Sequence, residues 1–209
     1  MTTSSVVNPK GEIIIPDPPI ARLFFGSTKL AWLWLILRVY LGYMWLSSGW
    51  GKISGGTWMT GEPLKGFWTA AVQIPEQGRP PIAFDWYRGF IQFMLDNGAH
   101  TWFGPLVAYS ETIIGILLIL GVFTGIAAFF GGFMNWNFIM AGAASTNALL
   151  FTIAILLMLA WKVAGWWGVD RWLLPILGTP WYRADDVGAV QPLNASTSLP
   201  WPRVTIPPL

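Results

Sequence analysis

The sequence predicts an all-α integral membrane protein: a four-helix bundle with an amphipathic interfacial helix in the long loop between spans 1 and 2. The first observation is composition, since 54% of the 209 residues are hydrophobic and 11% are charged, outside the range of ordinary soluble domains. The second is four apolar runs, each of about 20 residues and long enough to cross a hydrocarbon core of roughly 30 Å. They cover about residues 30–50, 102–121, 123–143 and 148–168.

Two proline-containing tails flank a membrane domain at residues 30–175. The N-terminal tail, residues 1–29, contains four prolines before residue 20 and is expected to be extended there. It lacks a basic segment leading into a short apolar core, so we expect no cleavable signal peptide, and span 1 acts as the start-transfer signal. The C-terminal tail, residues 176–209, is rich in proline, and little regular structure is expected beyond about residue 180.

The connection between spans 1 and 2, residues 51–101, contains one helical pattern among several prolines. In FDWYRGFIQFMLDNG, apolar side chains recur near helical spacing, and Asp85 stands at an N-cap position. We predict an amphipathic helix over 85–97 that lies on the membrane surface. Its apolar residues are Trp86, Phe90, Phe93 and Met94.

Short turns at 121–125 and 145–147 join the later spans, which predicts antiparallel neighbours in a compact bundle. Four spans place both tails on one side of the membrane. Basic residues near the span ends on that side favour cytoplasmic tails in a multi-pass protein of the cell membrane. After span 4, GWWGVDRWLLP is interpreted as a membrane-exit motif with a solvated Asp170/Arg171 ion pair. The basic residues are Arg22, Lys29, Arg171 and Arg183.

Tryptophan is abundant, and eight of the fifteen tryptophans lie near predicted span ends. Amphipathic rings favour the headgroup level of a bilayer, so these residues are interpreted as interfacial anchors. The tails and these tryptophan-rich rims are also the surfaces on which we expect partner subunits to bind. The eight are Trp32, Trp34, Trp50, Trp102, Trp161, Trp166, Trp167 and Trp172.

Composition also limits the chemistry that this chain can perform. The net charge of +2 and the scattered basic residues do not suggest a nucleic-acid partner. Without cysteine, the chain holds no disulfide, thiolate nucleophile, iron–sulfur cluster or cysteine zinc site. With His100 as its single histidine, it holds no bis-histidine haem, and no metal site is predicted. Redox chemistry therefore requires a diffusible carrier such as quinone, or a cofactor in a partner subunit.

Three spans carry a face of small and polar residues at helical spacing, which lets helices approach closely in lipid. The stripe in span 2 includes Glu111, within the apolar run LVAYSETIIGILLILG. In span 1 the face is Arg38, Gly42, Trp45, Gly49 and Lys52; in span 2 it is Gly104, Ala108, Glu111, Gly115 and Leu118; in span 3 it is Thr124, Ala128, Gly131, Asn135, Phe138 and Gly142.

A lone charge inside the bilayer costs at least roughly 2.5 to 3.5 kcal/mol on insertion scales. At about 1.5 Å per residue, Arg38 and Glu111 lie on the order of 12 and 16 Å from the tail side. We therefore predict an intramembrane Arg38–Glu111 pair, which Asn135 and Asn137 extend into a network.

Two interpretations of this network stay open. In the functional one, it binds a polar ring such as that of a quinone or relays a proton to it, with Arg38 and Glu111 as catalytic residues. In the structural one, the pair fixes helix register. Lys52 either contacts the ligand or extends to the lipid headgroups. The candidate ring-binding residues are Arg38, Trp45, Lys52, Glu111, Asn135 and Asn137.

Over about residues 30–175 the sequence resembles the DoxX family of small four-helix membrane proteins. No single motif is specific, but their order and spacing over four spans carry the resemblance. The motifs are LRVYLGYMWLSSGWGKI (Arg38, Gly42, Gly49, Lys52), ETIIGILLILGVFTGIAAFFGG (Glu111, Gly115, Gly121, Thr124, Gly125), NWNFIMAG with Asn147 after it, and GWWGVDRWLLP (Gly165, Gly168, Asp170).

The resemblance implies a four-helix bundle and a membrane subunit of a quinone-linked oxidoreductase. DoxD-type relatives take part in thiosulfate:quinone oxidoreductase, which passes electrons from thiosulfate to quinone and yields tetrathionate. This chain departs from that pattern because it lacks an evident soluble domain that handles thiosulfate. The alternative is a non-catalytic accessory subunit that scaffolds a larger respiratory or photosynthetic complex. A transporter fits less well, because no half-helix breaks interrupt the spans.

Overall fold

The computed structural model describes residues 6–7, 13–14 and 17–177, and this part of the chain is almost entirely helical. Within it, strand is confined to β1 (Val6–Val7) and β2 (Ile13–Ile14), which pair antiparallel. Predictions for the other N-terminal residues up to 16, and for 178–209, lie outside the described residues. The helices are α1 (Pro19–Ala21), α2 (Ala31–Ser54), α3 (Glu62–Ala71), α4 (Asp85–Asp96), α5 (His100–Leu120), α6 (Thr124–Met140), α7 (Ser145–Leu159), α8 (Trp161–Ala164) and α9 (Asp170–Ile176), with a π-helical turn at Arg22–Gly26 and 3₁₀ turns at Thr28–Leu30 and Thr57–Thr60.

Helices α2 and α5 form the tightest pair of the fold. Both are long and apolar enough to cross a membrane, judged by length and composition. The predicted small-residue faces of both helices are buried. A β carbon on Gly42 would lie 2.9 Å from the Ile119 side chain, and one on Gly49 would lie 2.5 Å from Thr112 N. The helices therefore run antiparallel, with their backbones nearly in contact.

This close approach predicts opposite effects for two neighbouring glycines of α2. Gly49→Ala is expected to lower the free energy of unfolding by about 1–3 kcal/mol, because the added methyl group collides with α5. Gly51 has open space around it, so Gly51→Ala is expected to stabilise the helix by about 0.5–1 kcal/mol through lower backbone entropy. Thermal unfolding of both variants in one detergent, followed by circular dichroism, measures the difference. Equal changes in the unfolding temperature of the two variants would contradict the close packing of Gly49 on α5.

Helices α6 and α7 complete a core that all four long helices share. They have 17 and 15 residues, fewer than the predicted spans, so their crossing of a membrane stays a prediction. The core joins Trp34, Leu41 and Trp45 of α2 to side chains of the other three helices and of α8. The other buried members are Ile114, Leu118, Ala127, Ala128, Leu150, Ile153, Ala154, Leu157, Ala160, Val163 and Ala164.

The predicted span over about 148–168 is not one continuous helix in the structure. Helix α7 ends at Leu159, and the chain continues through the short α8 and a turn into α9. Hydropathy continues across this break, which is why the sequence pattern missed it. A tertiary contact determines the path: Asp170 at the start of α9 accepts hydrogen bonds from the backbone N–H groups of Phe123 and Thr124, at 2.6 and 2.8 Å.

The connection between α2 and α5 is a folded layer. The predicted helix over 85–97 is present as α4, but Asp85 is its first helical residue and Phe84 occupies the N-cap. Helix α3, which the sequence analysis did not predict, packs on α4 and α5. Its Leu64 and Trp68 join Tyr87 and Ile91 of α4 in a second buried cluster.

Exposed aromatic rings occur at both ends of the long helices, and their role as interfacial anchors stays a prediction. Trp32, Trp50, Trp102 and Trp172 are all more than half exposed. Trp34 is an exception, because it is buried and its Nε1 donates to the carbonyl oxygen of Phe24, at 2.8 Å. Trp34 therefore ties the segment before α2 to the bundle and does not face the membrane surface.

Candidate functional site

A cavity of about 350 Å³ lies at the end of the bundle that carries the α2–α5 connection. This volume is within the range of roughly 300–1,000 Å³ found for small-molecule sites. We call it the polar cavity, because a buried ion pair lines it. The lining residues are Met44, Trp45, Ser48 and Lys52 of α2, Trp58 of the second 3₁₀ turn, Phe67 of α3, Glu111 of α5, Phe138 of α6, and Thr146, Asn147 and Leu150 of α7.

The ion pair joins Lys52 and Glu111, with 2.6 Å between Nζ and Oε2. The Lys52 side chain is 16% exposed and that of Glu111 is 1% exposed. Lys52 also donates to the hydroxyl of Ser48, at 2.7 Å, and its Nζ lies 4.8 Å from the centre of the Trp58 ring. The charges therefore neutralise each other, with Lys52 held by three different partners.

Local sequence explains why this pair forms. Ser48 and Lys52 are four residues apart and share one face of α2. Gly49 lies between them, and its α carbon packs on the backbone of α5 near Ala108 and Thr112. Because the helices approach so closely, a lysine side chain spans the remaining distance to Glu111. A larger residue at position 49 would push the ammonium away from the carboxylate.

Further polar atoms lie buried beside the pair. Trp45 is 3% exposed, and in the described part of the chain its Nε1 has no hydrogen-bond partner. Gly131 of α6 packs against this indole. One turn along α6, Asn135 is fully buried, and neither side-chain amide atom is paired with any described residue. Trp45 also lines the cavity, so a rotation of its ring would present this N–H to a ligand there.

The predicted Arg38–Glu111 pair is wrong. Arg38 lies at the level of Gly121, the residue that ends α5, whereas Lys52 lies opposite Glu111. Ten residues of helix separate these two levels, on the order of 15 Å. The depth estimate failed because it gave both spans the same starting level. In the structure, the first turns of α2 extend beyond the end of α5. Residues counted from the two helix ends therefore lie at different levels.

Arg38 instead lies in a second polar cluster at the tail end of the bundle. It is 1% exposed, and its Nη2 donates to the carbonyl oxygen of Trp167, at 3.0 Å. Gly121 and Gly168 pack directly against the guanidinium. Asp170 is the carboxylate that acts on it electrostatically. Arg38 is therefore remote from the polar cavity and is not positioned to touch a ligand there.

Asp170 is also not the solvated residue that the sequence predicted. It is 2% exposed, and its carboxylate caps the N-terminus of α6. Its neighbour Arg171 is exposed and lies over the ring of Trp166, at 4.9 Å. Adjacent residues on a helix point in different directions, so the pattern Asp-Arg does not imply an ion pair.

The prediction that Asn135 and Asn137 extend one network is also wrong. Positions two apart on a helix face different sides, and Asn137 contacts the α4 layer instead. Its backbone oxygen and its Oδ1 both accept from the Tyr87 hydroxyl, at 3.1 Å each. Burial raises the pKa of Tyr87 to about 12, so the phenol stays protonated and continues to donate.

The polar cavity combines three kinds of group. The Ser48 hydroxyl and Lys52 Nζ are donors for ligand carbonyl oxygens, as Trp45 Nε1 would be after a rotation of its ring, and the Glu111 carboxylate can accept or return a proton. Trp58 and Phe67 offer aromatic faces for a planar ring. Of the candidate ring-binding residues from the sequence, the structure brings Trp45, Lys52 and Glu111 to the cavity. Sequence analysis missed Ser48 and Trp58, although the spacing of Ser48 from Lys52 was a usable signal.

Comparison with known proteins gives one finding. The family model for DoxX matches residues 33–146, more than half of the chain. The match spans α2 to α6 and both halves of the Lys52–Glu111 pair. No significant similarity to a curated protein or to a solved structure was found.

Proposed function

The chain belongs to the DoxX family, and we propose that it is the membrane subunit of a quinone-linked electron-transfer oxidoreductase that binds the quinone ring in the polar cavity. Family membership and the two long apolar helices indicate a membrane protein. The proposed bundle crosses the membrane with α2, α5, α6 and α7. Helices α6 and α7 are about 25 and 23 Å long, so tilted neighbours or a locally thinner bilayer would accommodate them.

The Lys52–Glu111 pair inside the cavity is the observation that carries this proposal. Ionisable side chains at membrane depth are costly, and they usually mark a ligand or proton pathway. A pair that only fixed helix register would have no need of a cavity beside it. Here the pair lines a space of about 350 Å³ together with aromatic rings, among them the indole of Trp45.

A bound quinone supplies a ring that takes up two electrons and two protons. Trp45 and Ser48 would hold its carbonyl oxygens as hydrogen-bond donors. Lys52 would favour negative charge near the ring, and the Glu111 carboxylate would accept a proton from the ring and return it. Trp58 and Phe67 would exclude water from both faces of the ring. All six residues line the polar cavity, which supports these roles.

We place the electron donor on the side of the membrane at which the polar cavity lies. The lining includes Trp58 and Phe67, which come from the α2–α5 connection, so a donor site in this layer or in a partner subunit above it would be nearest to the ring. Thiosulfate is the donor that the family suggests. Partner subunits would contact the exposed aromatic rims of the bundle, and with cytoplasmic tails the polar cavity would face the opposite side of the membrane.

Bound quinone and partner subunits can be tested together. The chain is purified in mild detergent, its bound quinone is extracted, and co-purifying proteins are identified by mass spectrometry. We expect about one quinone per chain. Stoichiometric large subunits without quinone would favour the alternative function, an accessory subunit that scaffolds a larger complex.

A conservative substitution tests the cavity itself. Trp45→Phe keeps an aromatic ring but removes the indole N–H, so it is expected to weaken binding of duroquinone by about tenfold, the value of one hydrogen bond. The matched control is Trp50→Phe, because Trp50 lies on the same helix but is 61% exposed. Equilibrium dialysis of duroquinone against each purified variant measures the affinities. Equal affinities of the two variants for duroquinone would mean that the quinone ring does not bind beside Trp45.

A further inference from the structure

A second, larger cavity adjoins the polar cavity. We call it the apolar groove; its volume is about 690 Å³, and α3, α4, α5 and α6 form its walls. Its lining in the described part of the chain contains no Asp, Glu, Lys, Arg or His side chain. Among its polar side chains, Tyr87 and Asn137 are bonded to each other, and Ser110 of α5 is half-buried. The lining is otherwise largely apolar, so the groove suits an apolar guest.

Two phenylalanines connect the groove with the polar cavity. Phe67 of α3 and Phe138 of α6 line both spaces. Their rings meet edge to face, with 6.3 Å between centroids. The two rings thus stand between a polar, aromatic cavity and an apolar groove, and a rotation of either ring would join the two spaces. A ligand with a polar ring and an apolar chain matches this order of environments.

The outer rim of the groove faces away from the protein. Phe130 and Phe133 of α6 and Ile113 of α5 line it and are each more than half exposed. In a bilayer these side chains would contact lipid, so a chain can enter sideways from the membrane. No path through the aqueous loop layer is needed.

We propose that the apolar groove holds the hydrocarbon chain of the quinone whose ring occupies the polar cavity. This inference rests on the proposed function. The charge of the polar cavity favours a quinone over a phospholipid, because the charged residues of its described lining are Lys52 and Glu111, which neutralise each other. A phosphate headgroup would require an unpaired cation, whereas a neutral ring does not.

The test compares two ligands that share one ring. Duroquinone has four methyl groups, and its partner carries a decyl chain in place of one methyl group. Ser110→Phe narrows the groove, since Ser110 lines it and is half-buried on α5. We expect affinity for the decyl quinone to fall by about tenfold or more, because several methylene groups lose their packing, while duroquinone binding is unchanged. The control is Ser47→Phe, on the exposed face of α2.

The outcomes separate this inference from the proposed function. If Ser110→Phe lowers the affinity for the decyl quinone and leaves the affinity for duroquinone unchanged, the result supports the groove. Unchanged affinity of Ser110→Phe for the decyl quinone overturns the groove but leaves the ring site intact. If the wild-type protein binds neither ligand, both the proposed function and the groove proposal are rejected.

A second measurement uses the unmodified protein, in case Ser110→Phe does not fold. A decyl quinone with a diazirine at the end of its chain is photolysed on the purified wild-type chain, and labelled peptides are identified by mass spectrometry. Labels on groove residues such as Phe103 and Met134 support the proposal. Labels confined to exposed α2 residues such as Tyr43 and Trp50 overturn it.

Discussion

Asp170→Ala is expected to lower the free energy of unfolding by about 3–5 kcal/mol, one of the two largest stability effects that we predict. The substitution leaves the N–H groups of Phe123 and Thr124 unpaired at the buried start of α6, where the carboxylate now accepts both. It also removes the negative charge that acts on Arg38, which is 1% exposed. A lost helix cap alone typically costs about 0.5–2 kcal/mol, and the stranded arginine accounts for the remainder.

Denaturation of the purified variants in one detergent measures this loss. The matched control is Arg171→Ala, the next residue, whose exposed side chain contacts the Trp166 ring and is expected to contribute about 0.5–1 kcal/mol. Arg38→Met in the Asp170→Ala background is expected to recover part of the stability, because it removes the uncompensated charge. Strict additivity of the two substitutions would mean that Arg38 and Asp170 are not coupled.

Lys52→Met and Glu111→Gln are expected to have unequal effects on stability. In Lys52→Met, the Glu111 carboxylate is 1% exposed and cannot reach water, so the loss is expected to be about 3–5 kcal/mol. In Glu111→Gln, the freed lysine is near the end of α2 and can extend its ammonium outward, so the expected loss is about 1–2 kcal/mol. The reverse order would contradict the burial of Glu111.

The same two variants distinguish a ligand site from a structural pair. Both are expected to lose duroquinone affinity by tenfold to about a hundredfold, because a charged hydrogen-bond partner contributes roughly 1.5–3 kcal/mol. Equilibrium dialysis is done at a temperature where each variant is folded by circular dichroism. The Ser47→Phe protein serves as a folded reference with an intact cavity. If Glu111→Gln binds duroquinone like the wild-type chain, the carboxylate is structural only.

Helix positions and buried faces could be predicted from the sequence because local spacing determines them. Helices α2, α4 and α5 begin and end close to the predicted residues, and Gly42, Gly49 and Gly115 are buried as their spacing indicated. Close helix contacts need small residues at steps of three and four, and that pattern is visible without any knowledge of the partner helix.

Partner choice could not be predicted, because it depends on the axial offset between helices. Lys52 and Arg38 both lie on the predicted face of α2, and only the offset decides which of them reaches Glu111. The Asp170 cap on α6, beyond the break after Leu159, was missed for a related reason: it is a contact between residues far apart in the chain. The partner of Asn137 is likewise in α4. The hydropathy pattern does not show where α4 packs, so this contact could not be predicted.

The position of Asp170 also has a consequence for biogenesis. In the proposed membrane bundle, Arg38 is inserted early in synthesis, 129 residues before Trp167, whose carbonyl oxygen it will bind. The carboxylate that balances it is made later still, after α7 and α8, and outside the region 33–146 that matches the family model. Until Asp170 is synthesised, the positive charge of Arg38 has no balancing carboxylate, and the insertion machinery would have to keep it out of the lipid. Ribosome-stalled or truncated chains that stop before Asp170 are therefore expected to be degraded, which couples stable insertion to completed translation.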